Sequence, residues 1–178
     1  MSFSMHRISV PVFQQMLTNL DYCFEQAAAF VSQNGMSETE FMQRRLIEDM
    51  FTLAQQVQRA CEHSAGAVAR LAGVSAPALA SDPDADIGAA RARIATSLEF
   101  LASIAPDQLE GDPDRPITVT VRLGEVTWPA QDYLLHFAQA HFYFHVTTAY
   151  DILRAAGVDI GKIDYLGAIM KDKFAGQR

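Results

Sequence analysis

A chain of 178 residues with a formal net charge of −7 is long enough for one domain and short for two. Hydrophobic residues at 49% against 20% charged describe a globular protein that buries roughly 70% of its unfolded surface, so neither metal nor disulfide is needed merely to hold it together. Binding nucleic acid takes clustered Lys and Arg to neutralise phosphates; with none present, nucleic acid is excluded as a partner.

The start, "MSFSMHRISVPVF", lacks the apolar run of a signal peptide. No uncharged stretch approaches the roughly 20 apolar residues of a membrane span. Cys23 and Cys61 lie in expected helices without a CxxC pairing, which reads as free buried thiols in a reducing compartment. The expectation is a cytoplasmic protein with no membrane partner.

In chain order, a first helix is expected from about Pro11 to Gln33. Proline suits the first helical turn, and Phe13, Met16, Leu17, Leu20, Phe24, Ala27 and Val31 recur at spacings of three and four. Asn34–Gly35 stops it, and Ser37 with Glu40 forms a capping-box pattern opening a short helix to about Leu46. A second long helix spans about Met50 to Ala72, capped by Asp49, with a stripe through Leu53, Val57, Cys61, Ser64, Val68 and Leu71. Gly73 closes it. "VSAPALASDPDAD" reads as a surface loop.

A third helix, about Ala85 to Ile104, carries Ile87, Ile94, Leu98 and Leu101 on one face. In "ITVTVRLGEVTW" the period changes to two, giving a short hairpin that turns near Gly124. Pro129 opens the fourth helix, about Ala130 to Ala156, and Gly157 ends it. The tail packs back in its first half and frays from about residue 168. Four amphipathic helices with one hairpin make an all-α bundle, read here as one domain over 1–178. No internal repeat, phosphate loop, nucleophile elbow or HExxH motif is present.

The fourth helix holds the chemistry. At about 100° per residue, His141 and His145 fall about 40° apart, in the buried arc with Leu134, Ala138, Thr148 and Ile152. His136 points the other way with Tyr143, Tyr150 and Arg154, a stripe suited to self-association or to plain exposure. Two imidazoles one turn apart can share one metal ion; they can equally be neutral core histidines bonded to Thr, Gln or backbone. A catalytic zinc or nickel site needs a third protein ligand. His63 falls off the stripe of its helix and reads as exposed. Gln58 sits at the edge of that face, where its amide can bond an imidazole or a water. Asp21, Asp49 and Glu62 read as solvated or capping carboxylates, and Arg91 as an inner-face cation open to an anion or to a carboxylate partner.

The stretches "SMHRISVPVFQQML", "DMFTLAQQVQRA", "RLAGV", "DYLLHFA", "FYFHVTTAYDILRAAGVDIGK" and "DYLG" resemble a bacterial domain-of-unknown-function family within the DinB/YfiT-like superfamily of metalloenzymes, from about Ser4 to Gly167. The resemblance implies an antiparallel four-helix bundle, usually a homodimer. It also implies a divalent metal, zinc or nickel, held by an HxxxH pair and one histidine of the second helix, with chemistry on a low-molecular-weight thiol. His141 and His145 match the pair. The second-helix histidine is expected near Gln58, where a glutamine stands, so the ligand set reads as incomplete. Two functions remain open. One is a metal site on His141 and His145 completed by Gln58 or water; the other is a metal-free small-ligand pocket or dimeric interaction module.

Overall fold

Helix boundaries in the computed structural model follow local capping chemistry; it describes residues 4–79, 82, 85–122, 124–168 and 170. Helix α1, Val10–Gln33, has proline in its first turn and ends where the Asn34 side chain donates to the Phe30 carbonyl. The short α2, Glu38–Met42, starts on Ser37, whose hydroxyl accepts from the Glu40 N–H. Helix α3, Leu53–Ala72, begins three residues later than the periodicity predicts. The reason is a reciprocal capping box: the Thr52 hydroxyl accepts from the Gln55 N–H at 3.3 Å, and the Gln55 amide oxygen accepts from the Thr52 N–H at 2.9 Å. Asp49 therefore lies outside the helix it was expected to cap. Gly73, with φ of 68°, takes the left-handed position that ends α3. Helix α4, Ile87–Ala102, is capped by Asp86.

The hairpin consists of β1, Pro116–Val121, and β2, Gly124–Pro129, antiparallel with Val119 opposite Val126. Ile117 and Val119 are buried while Thr118 and Thr120 face out, as a period of two requires. The Arg115 guanidinium donates to the Leu71 carbonyl at 2.8 Å, which ties the base of the hairpin to the last turn of α3. After β2 the chain runs without a break through α5, Ala130–Asp132, a π-helical stretch, Tyr133–Ala138, and α6, Gln139–Ala155.

Packing makes these into a bundle. Helix α3 lies along α6 and α4, and α1 lies along α4 and α6. The core runs through Phe13, Leu17 and Phe24 of α1, Val57 and Val68 of α3, Ile94 of α4 and Phe142 of α6, each fully buried. Cys23 and Cys61 are buried thiols outside any disulfide. A last short helix, α7, Lys162–Leu166, packs on α1, where the Asn19 amide donates to the Tyr165 carbonyl at 2.9 Å. Most of the tail expected to fray lies outside the described residues. Among the described residues no helix is long and apolar enough to cross a membrane.

Candidate functional site

Between α3 and α6, under the inner face of β1, lies an open cavity of about 450 Å³. Its long walls come from two periodic stripes. On α3, Arg59, His63 and Arg70 follow Gln56 at helical spacing, on the edge of the buried arc. On the facing helix the lining residues are Tyr133, Phe137, His141 and His145, each four after the last. In an ordinary α-helix every step of four drifts by about 40°, so four such residues would spiral off one face. The π-helical stretch over Tyr133–Ala138 has wider turns, which take up the drift and hold all four on the cavity side.

Three imidazoles meet there. The His63 ring lies 4.9 Å from that of His141 and 5.3 Å from that of His145, centroid to centroid, with interplanar angles of 29° and 10°. His63 is thus half-buried in the cavity wall, and the expectation that it is exposed is corrected. The apolar stripe of α3 marks only the face turned to the core. A second, polar stripe borders it, and that one faces α6.

Two of the rings are fixed by hydrogen bonds. His141 Nδ1 lies 2.8 Å from the Phe137 carbonyl oxygen, and His145 Nδ1 lies 2.7 Å from Gln56 Oε1. Neither oxygen carries a proton, so each Nδ1–H donates, and the tautomer this selects has its lone pair on Nε2. The Gln56 orientation is set in turn by its own amide, which donates to the Phe51 carbonyl at 3.4 Å. Gln58, the expected supporting amide, does not line the cavity; its Nε2 donates to Glu62 Oε1 at 2.8 Å. The glutamine behind His145 is Gln56, two positions earlier, fully buried.

Burial holds His63 and His145 neutral. Burial lowers the His63 pKa to about 3, helped by His141, His145 and the Arg59 and Arg70 guanidiniums. Burial also lowers that of His145 to about 4, followed by His141 and Arg59. The charged side chains are arranged around them: Arg59 pairs with Glu62 at 2.8 Å, and Arg70 donates to the buried Tyr133 hydroxyl at 3.3 Å. His136 is exposed and outside the cavity, as its helix position predicts. Arg91 is engaged elsewhere, in a two-pronged pair with Asp21 at 2.8 and 3.0 Å.

As donors, three imidazoles with two Nδ1 atoms pinned to carbonyl oxygens suit a divalent transition metal. As placed, the rings stack instead of converging, and among the described residues no three His, Cys, Asp or Glu side chains form a closed cage.

A four-helix bundle of this kind, with a short hairpin before its last long helix, is DinB-like in fold. The chain is a member of the family described as "Domain of unknown function (DUF1993)", whose model matches residues 5–166. Among solved structures it is similar to a DinB family member protein from Shewanella denitrificans, with 34% identity, a TM-score of 0.78 and 92% of each chain covered. None of the curated proteins matches.

Proposed function

We propose that the cavity is a small-molecule site in which His63, His141 and His145 take a divalent cation, zinc or nickel, serving a thiol-dependent transfer or isomerisation of the kind the sequence resemblance implies. One observation carries this reading. Both Nδ1–H groups of the HxxxH pair are spent on carbonyl oxygens, the arrangement that orients imidazole ligands and makes them better donors. Among the described residues no hydrogen bond holds the His63 ring, which lies within about 5 Å of both rings of the pair. A bound cation supplies Lewis acidity that lowers the pKa of a water or thiol. Phe51 and Phe137 wall the site and limit water. Gln56 keeps the His145 tautomer.

The test is elemental analysis of protein purified without a histidine tag, with zinc titrated into the chelator-treated chain. The reading expects about one ion per chain, lost in both His63→Ala and His145→Ala, and a melting temperature that climbs with zinc as mass action requires. Sub-stoichiometric metal indifferent to either substitution sinks it.

The lack of a closed cage favours a second reading, a metal-free pocket for a small ligand. Under that reading His145→Ala strands the buried Gln56 oxygen and lowers stability by about 1–3 kcal/mol, with no response to chelator.

A further inference from the structure

We infer that the end of this cavity formed by Arg70 and Tyr133 is a carboxylate-binding subsite, so that the ligand is a small organic acid. The inference rests on the cavity being a ligand site, as proposed above, though not on a metal. Arg70 lines the cavity and forms no ion pair with a carboxylate among the described residues. Its Nη1 donates to the Tyr133 hydroxyl oxygen. That oxygen is an acceptor in this contact, so the phenol's own hydrogen is left for a ligand, and burial raises the Tyr133 pKa and keeps it a phenol. Guanidinium N–H groups and a phenolic O–H make a corner with donors only, which matches the two acceptor oxygens of a carboxylate.

Gly66 sets where that corner lies. A Cβ on Gly66 would stand 3.1 Å from Arg70 Nη1. A glycine inside a helix destabilises it relative to alanine. Here its bare backbone lets the guanidinium lie back along α3, level with a residue three positions from His63. By helix rise that is about 5 Å from the His63 level. A ligand with its carboxylate on Arg70 therefore puts its next few atoms beside the imidazoles. The fixed charges agree: among the described lining residues Glu62 is taken by Arg59, which leaves the Arg70 guanidinium without a carboxylate partner.

The experiment titrates succinate, succinamide and inorganic phosphate into metal-free, isotope-labelled protein, following the Arg70 Nε–H and histidine ring signals by NMR. Succinate is expected to shift both sets, succinamide to shift neither, and phosphate to bind more weakly than succinate. Arg70→Gln should weaken succinate about tenfold or more. Gly66→Ala should raise the melting temperature by roughly a few degrees yet weaken succinate, because the new methyl displaces Arg70; a merely structural glycine would not separate these effects. Arg91→Gln, which breaks a pair outside the cavity, should keep succinate affinity within about threefold. Succinate shifts unaffected by Arg70→Gln, equal binding of succinamide, or tighter phosphate each overturn the inference. Zinc binding without succinate binding overturns it and leaves the metal reading intact; the reverse result overturns the metal reading alone.

Discussion

His63 sits two positions after the core residue Cys61, nearly opposite on a helical wheel, and yet it is half-buried beside His141 and His145. At this scale the site is a matter of hydrogen-bond supply. Replacing Gln56 by leucine should leave the His145 Nδ1–H without its acceptor, lowering stability by about 1–3 kcal/mol in chemical denaturation. The same substitution at Gln58, whose amide serves Glu62, should cost less. The neutral rings also impose a pH dependence. His63 and His145 are lowered from 6.5 to about 3 and about 4, so below pH 6.5 the unfolded chain binds protons that the folded chain refuses. Stability is then complete above pH 6.5 and is lost as pH falls towards 4. With solvent screening at half-exposed His63, the loss should be on the order of 2 kcal/mol in metal-free protein. Flat stability between pH 7 and pH 4 would contradict the burial of these rings. The HxxxH pair was legible from its spacing alone. His63 and Gln56 were not, because a wheel reports distance from one apolar stripe, and α3 has two packed faces.

Among the elements, α3 and the irregular helix opposite it position everything in the cavity. The start of α3 hangs on a local box of two side chains, and Thr52→Ala should destabilise by about 1 kcal/mol. The π-helical stretch does more specific work. Deleting exposed His136 would remove the extra residue of the wide turn, and a regular α-helix with steps of three, four and four then keeps Tyr133, Phe137, His141 and His145 within about 80° of one another. Helix content by circular dichroism should hold, and with it the Arg70–Tyr133 contact and succinate binding; their loss would contradict this role for the wide turn. Sequence periodicity had drawn this segment as one straight helix, and its ends were nearly right. The irregularity within it left no local mark, since π turns are stabilised by what they pack against and not by residue preference.

Over the whole molecule, long-range contacts differ sharply in worth. The Arg91–Asp21 pair joins α4 to α1, but its side chains are 39% and 32% exposed, so Arg91→Ala should cost less than about 1 kcal/mol and less still at high salt. Gly167 is a different case. It has a φ of 72° where α7 turns against α1, and a Cβ there would overlap the Asn19 amide. Gly167→Ala should release α7 from the bundle, with a loss of about 1–3 kcal/mol and faster amide exchange across α7.

The sequence by itself determined the bundle, its element order, the hairpin and the HxxxH pair, because period, caps and turn residues are written in neighbouring positions and act over one or two turns. Only the tertiary structure decided that His63 joins the pair, that Gln56 and not Gln58 stands behind it, and that Arg70 turns back over Gly66 to Tyr133. Those facts depend on how α3 and α6 are rotated against each other. That rotation is set by the volume of the whole core and by one wide turn of helix, neither of which any short window of residues contains.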